Sequence, residues 1–283
     1  MNQQDKQHNS HDDFFQKAKI PYSRSKEDVW ADMMQQLDAP EKEEKTRTLK
    51  PVMWAIAASI IILLSIGGFM RFYTKSFYAP AGQHLAMTLP DGSEVTLNAN
   101  TKLQYHPYWW QFSRKLKLSG EAFFQVTPGN KFSVTSEQGV TSVLGTQFNI
   151  YARETRYRVH CLTGKVDVKS KQGDSRVITA NQAVSVETDG SLKYQEEIEA
   201  EQAIAWRKNE FIFTAMPLRE VLEEMERQFD IVIEVPASVK GSYTGNFKRG
   251  SSPRETLEQI CMPFGLQVEK IGTDHFEIIP IQP

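Results

Sequence analysis

PVMWAIAASIIILLSIGGFM, residues 51–70, runs twenty positions without an ionisable side chain, between Lys50 and Arg71. At about 1.5 Å rise per residue, a helix of this length spans roughly 30 Å, the thickness of a bilayer's hydrocarbon core. A helix buried in a soluble core rarely stays apolar on every face for so long. A cleaved signal peptide has a short charged front and an apolar stretch of about 7 to 15 residues, whereas here about fifty mostly polar residues come first. The segment therefore reads as a retained transmembrane helix over 51–71, with Val52, Trp54, Ile60, Leu64 and Met70 among its bilayer residues. Basic residues resist translocation; residues 31–50 carry Lys42, Lys45, Arg47 and Lys50, whereas 71–90 carry only Arg71 and Lys75. This orients the N-terminus to the cytoplasm and the carboxyl-terminal portion across the membrane.

The 283 residues carry 33 Lys plus Arg against 35 Asp plus Glu, a formal charge of −2. That balance leaves no excess for coating nucleic acid, and direct DNA binding is not expected. Hydrophobic residues at 40% and charged residues at 24% are near globular averages, so the length points to about two folded units plus extra segments. Two cysteines, Cys161 and Cys261, cannot build a disulfide scaffold or a four-cysteine zinc site. Both lie beyond the span; a bridge is conceivable in an oxidising compartment, but two separately buried thiols are expected.

Residues 1–50 form a small head. Asp12, Asp13, Phe14, Phe15 and Ala18 predict a short helix that Pro21 ends. A longer one follows, capped by Ser25 with Asp28 in the capping-box position. On it Val29, Trp30, Met33, Met34 and Leu37 recur at helical spacing as one apolar stripe. So small a head offers little surface against which to bury the stripe. A membrane-surface helix would be rich in Lys and Arg, whereas Ser25 to Asp38 carries one Lys against Glu27, Asp28, Asp32 and Asp38. A partly disordered tail that docks on nothing is the other alternative, but Trp and Met suit docking into a protein groove, so a protein partner is expected. Residues 41–50 read as a solvated tether.

Beyond the span, residues 85–192 alternate apolar and polar in short runs every eight to twelve residues, from Met87/Leu89 through Phe124/Val126 to Val184/Val186. Asp91-Gly92 is a hairpin signal. This predicts an all-β domain of about ten strands; sandwich, barrel and solenoid remain open. The last part changes rhythm. Glu196 to Trp206 reads as a helical linker, followed by strands at Phe211/Phe213, 231–235, 243–247, 266–269 and 275–279 and helices over 217–229 and from Pro253 to Cys261. The fold class is thus mainly β with α+β. The expected divisions are 1–50, the span at 51–71, an all-β domain at 72–194, a linker at 195–210 and a small α+β module at 211–283.

The segments LPDGSEVTLNANTKLQY (89–105), RKLKLSGEAFFQV (114–126), FSVTSEQGVTSVLGTQFNIYA (132–152) and CLTGKVDV (161–168) together resemble, in order, the signatures of the FecR family of anti-sigma factors. The duplicated strand–helix–strand order of 211–283 resembles the short N-terminal modules of secretins and TonB-dependent receptors. The resemblance implies an inner-membrane protein with a periplasmic sensing portion. In that layout, Val29, Trp30, Met33, Met34 and Leu37 would hold an extracytoplasmic-function sigma factor. The periplasmic partner would be the signalling domain of an outer-membrane TonB-dependent receptor. Release of the head would come through membrane proteases that cut at specific sites, or through a change in its ordering.

Two local features have competing readings. Some relatives cleave themselves at a Gly-Thr bond by attack of the Thr hydroxyl on the preceding carbonyl, and Gly145-Thr146 stands in that motif. The simpler reading is a tight turn, with Gly for backbone freedom and Thr to start a strand. The cluster Tyr105, Tyr108, Trp109, Trp110 and Phe112 reads as core and rim packing, or as a sugar-stacking platform. The latter would make the chain an anchored envelope protein that binds glycan or cell-wall polymer through Trp109 and Trp110. No G-x-S-x-G, P-loop, Rossmann or H-E-x-x-H motif occurs. His160 and Cys161, adjacent on a strand, would face opposite ways. The carboxylate pairs Glu196-Glu197 and Glu223-Glu224 read as solvated helix faces. Neither an enzyme acting on a separate substrate nor a cofactor or metal site is expected.

Overall fold

The computed structural model describes residues 24–38, 50–187, 189–196, 199–250 and 252–281. The helix expected near Asp12–Ala18 and the tether at 41–49 lie outside the described residues. The chain divides into two units, Met1–Ser59 and Ile60–Pro283.

Helix α1 (Lys26–Leu37) begins as its capping box dictates. The Asp28 N–H donates to Ser25 Oγ at 3.1 Å, and the Ser25 N–H donates to Asp28 Oδ2 at 3.2 Å. Two orphan donors of the first turn are thereby satisfied. Helix α2 (Lys50–Phe72) contains a 22-residue stretch, Pro51–Phe72, long and apolar enough to cross a membrane. Its two serines are satisfied internally: Ser59 Oγ donates to the Ala55 carbonyl at 2.8 Å and Ser65 Oγ to that of Ile61 at 2.7 Å. Inside lipid, where water cannot serve them, such pairing is required.

Thirteen strands follow: β1 (Lys75–Ala79), β2 (Leu85–Thr88), β3 (Glu94–Leu97), β4 (Thr101–Tyr105), β5 (Arg114–Gln125), β6 (Phe132–Thr135), β7 (Gly139–Val143), β8 (Gln147–Arg153), β9 (Arg156–Thr163), β10 (Lys165–Ser170), β11 (Ser175–Thr179), β12 (Gln182–Val186) and β13 (Leu192–Gln195). They form two sheets that share β5. Its first half pairs with β4 and, in parallel, with β6; from Gly120 onward it pairs with β8, and from Ala122 also with β3. Gly120 stands at the changeover with φ of 118°, and a Cβ there would lie 2.7 Å from the Thr101 Cα. Only glycine fits this bend. One core lies within, built on Phe124, Phe132 and Phe148 with Tyr105 and Trp110. Asp91-Gly92 makes the expected turn between β2 and β3, with Gly92 at φ of 80°.

In the last part, where a helix is expected from Glu196 to Trp206, residues 197–198 lie outside the described residues and the rest forms a 3-10 stretch over Gln202–Lys208, ended by Asn209 in the left-handed region. Then come β14 (Glu210–Pro217), α3 (Leu218–Phe229), β15 (Val232–Glu234), β16 (Ser242–Lys248), α4 (Pro253–Cys261), β17 (Leu266–Lys270) and β18 (His275–Pro280). Pro217, expected to open the helix, precedes it as the N-cap. Strand β14 pairs with β16, and β18 lies between β15 and β17. Leu218, Val221, Leu222 and Met225 of α3 enter this module's core with Phe211, Phe213 and Leu257.

One residue of that second core, Phe123, comes from β5. Strand β5 alternates buried and exposed through Leu118, then turns buried at every position from Gly120 to Phe124. Ala122 and Phe124 face the β core, whereas Phe123 faces the C-terminal module. The α+β module therefore packs on the outer face of the β3–β5–β8–β9 sheet.

Candidate functional site

Helix α1 has no buried residue. Trp30 is 54% and Leu37 74% exposed, Met33 and Met34 are equally open, and Val29 is half-buried. The five stripe residues of the sequence thus form one solvent-facing apolar band within their unit, while an Arg24–Asp32 ion pair at 2.9 Å lies on the polar side. Exposure of so much apolar surface on one short helix costs hydration free energy that burial against another surface would recover. In α2, Val52, Trp54, Ile60, Leu64 and Met70 are all exposed, as residues facing lipid would be.

Gly145 and Thr146 lie between β7 and β8. The Thr146 side chain is 4% exposed, and its hydroxyl donates to the Lys165 carbonyl at 3.0 Å. A Cβ on Gly145 would come within 2.8 Å of the Pro128 Cα. The Thr146 carbonyl accepts from the Val126 N–H at 3.0 Å and that of Leu144 from the Gly129 N–H at 2.8 Å. The pair thus closes a tight connection whose flanking carbonyls, of Leu144 and Thr146, are bonded, with the hydroxyl already engaged as a donor.

The polar residues of the β5–β8–β9 outer face meet α3. Glu121 is 7% exposed and accepts from the side-chain amides of Asn98 and Asn149, each at 2.8 Å. Glu224 on α3 is equally buried and accepts from Arg227 at 2.9 and 3.0 Å and from Gln228 at 2.7 Å. Desolvation, then the neighbouring Glu224 charge, pushes Glu121 up to about 7. Glu224 is desolvated too, yet Arg227 and Arg153 hold it below the usual carboxylate range. At the rim, Glu220 pairs with Arg156 at 3.3 Å and Arg158 at 2.7 Å, and Glu223 with Arg156. The expectation that Glu223-Glu224 is a solvated face is corrected for Glu224: α3 buries a wider arc than its apolar stripe, because it is covered from two sides. Glu121, Asn98, Asn149 and Gln228 were not singled out by sequence; a glutamate inside the apolar run at 120–124 was the available signal.

The two-tryptophan sugar platform does not form. Trp110 is 3% exposed and packs in the β core against Tyr105 and Phe132, because its backbone position turns it inward, while the Trp109 ring lies tilted against that of Phe112 at 4.7 Å. Cys161 and Cys261 are free and buried, and burial pushes both thiols up to about 11. His160 lies on the sheet's outer side and Cys161 in the core, and burial, helped by Arg158, takes the imidazole down to about 4. The two form no nucleophile–base pair.

Comparison with known proteins accords with this architecture. Residues 76–167 match the FecR protein family and residues 210–278 match the C-terminal FecR region. Comparison with curated proteins gives no match. Two crystal structures, at 1.65 and 2.50 Å resolution, of a candidate anti-sigma factor from Parabacteroides distasonis ATCC 8503 are similar to this chain. Each is 26% identical with a TM-score of 0.68, covering 74% of this chain and all of the other. With both regions matched in order on the fold described, the chain belongs to the FecR family of anti-sigma factors.

Proposed function

We propose that the chain is a single-pass inner-membrane regulator whose cytoplasmic helix α1 holds an extracytoplasmic-function sigma factor. Its outer portion would relay a periplasmic signal from an outer-membrane TonB-dependent receptor. The observation that carries the reading is the stripe of Trp30, Met33, Met34 and Leu37, exposed among the described residues, in a chain that also contains a membrane-length apolar helix. Docking of that stripe into a groove of the sigma factor would block the surfaces it needs for polymerase or promoter. The basic excess at 42–50 supports a cytoplasmic location for α1. Family membership and the likeness to the Parabacteroides distasonis protein support the same role.

Release follows when the receptor's signalling domain engages the outer portion and the head is freed, by cleavage at the hands of membrane proteases or by a change in its ordering. The test is photo-crosslinking at Trp30 in cells expressing the full chain, with mass spectrometry of the captured protein. Capture of a sigma factor is the expected result. Failure to capture one, under conditions where a known pair crosslinks, overturns the reading.

A further inference from the structure

Only Tyr73 and Thr74 separate α2 from β1, so no flexible spacer lies between the apolar helix and the β domain. The joint is filled by side chains. His106 Nδ1 stands 3.0 Å from the Tyr73 carbonyl oxygen and 3.2 Å from Thr74 Oγ1. The Tyr108 ring lies 5.4 Å from that of Tyr73 and 6.0 Å from that of Phe69. The Arg71 guanidinium sits 5.3 Å over the Trp109 ring, which in turn packs on Phe112. The loop between β4 and β5 is thus fastened beside the last turn of α2, a level fixed to within about 5 Å along the helix axis.

Apart from the half-buried Trp109, these rings are open on their other side. Phe112 is 72% exposed, Phe72 is similarly open, and Tyr108 and Tyr73 are substantially so. Neighbours Tyr105 and Trp110 go into the core, so the outward rings are not surplus from poor packing. A surface loop carrying Tyr, Trp and Phe is costly in water but suits the zone between headgroups and acyl chains, where aromatic residues concentrate at the ends of membrane spans. Arg71 and Lys75 bring positive charge to the same level, suited to lipid phosphates.

We propose that Tyr108, Trp109 and Phe112, with Phe72 and Tyr73, form an aromatic collar seated in the membrane interface where α2 emerges, so that the β domain rests on the lipid in a fixed orientation. The occupant is lipid because the collar continues the surface of the helix that lipid already surrounds; the inference rests on reading α2 as a membrane span. A domain held in this way turns with the helix, so a tilt imposed by a partner on the outer portion reaches the span directly.

The experiment uses the full chain in phosphatidylethanolamine–phosphatidylglycerol vesicles, spin-labelled at Phe112→Cys, Leu64→Cys or Met262→Cys in turn. Both native thiols are buried and leave the introduced one to react, and Phe112 and Met262 are comparably exposed, so neither change opens a core. The expected result is that the label at 112, like that at 64, is several-fold more accessible to oxygen than to a water-soluble nickel chelate, while the label at 262 shows the reverse. If 112 behaves like 262 while 64 stays lipid-exposed, the collar is wrong and the span stands. A label at 112 shielded from both reagents would mean protein contact and also overturn the collar. Chelate access at 64 would defeat the span itself, and the collar with it.

Discussion

Gln228 and Asn98, 130 residues apart in the chain, are joined by a 2.8 Å hydrogen bond in which the Gln228 amide nitrogen donates to Asn98 Oδ1. The bond crosses from α3 to the loop before β4, and Asn98 passes it on to Glu121, while Gln228 also donates to Glu224. This contact therefore lies in the middle of the seam between the C-terminal module and the β domain.

Replacing Gln228 by Ala leaves part of a buried network unpaired, since Gln228 is fully buried. The expected cost is about 2 kcal/mol, read as a lower urea midpoint, with the α+β module melting ahead of the β domain. A change below about 0.5 kcal/mol, within the range of ordinary surface substitutions, would mean that water replaces the amide and the seam is not closed.

Glu121 sets a pH dependence whose sign follows from its raised folded-state value of about 7 against an ordinary 4.5. Between those values the folded chain binds more protons than the unfolded one, so stability falls as pH rises from 4.5 to 7, and the loss is complete above 7. Glu121→Gln, neutral at all pH, should raise the melting temperature at pH 8 and change it little at pH 4.5. An equal effect at both ends would assign the change to packing rather than charge.

Thr146→Ala removes the hydroxyl that the Lys165 carbonyl accepts, with an expected cost of about 1 kcal/mol. Gly145→Ala should cost more, because its Cβ meets the Pro128 backbone. Purified wild-type protein should remain one full-length band over days with hydroxylamine present. A hydroxylamine-induced fragment beginning at Thr146 would reveal the N-to-O acyl shift and make the turn a cleavage site.

Trp30→Ala and the double change Met33→Ala, Met34→Ala should each weaken capture of the sigma factor by about thirtyfold, as for a central aromatic or methionine anchor worth about 2 kcal/mol. The melting curve of the outer portion should not move, since no residue of α1 is buried. Unchanged capture in both variants would show that the stripe is not the contact.

Much of this arrangement was readable from local pattern because local forces determine it. The Ser25–Asp28 capping box, the turn at Asp91-Gly92 and the two helices over 218–229 and 253–261 depend on neighbours a few residues away, and each forms where its residues call for it. The strand β1, with little alternation of its own, was not readable: it exists because β4 supplies its partner across Lys75↔Tyr105 to Ala79↔Thr101. The linker helix was over-read: among its described residues, the polar run at 199–201 enters a turn and Gln202–Lys208 winds as a 3-10 stretch.

The chain's chemistry alone determined that residues 51–70 suit lipid, that Trp30 and its neighbours lack a core of their own, and that the outer portion is β followed by α+β, because hydrophobic length and period are properties of the string itself. Tertiary structure alone decided which charges are buried and which rings are left outside. Glu121, Asn149 and Glu224 are ordinary polar positions in their own strands and helix until two separately patterned faces close on one another. Likewise Trp110 and Trp109, adjacent in sequence, part ways because the backbone turns one into the core and leaves the other beside the end of α2.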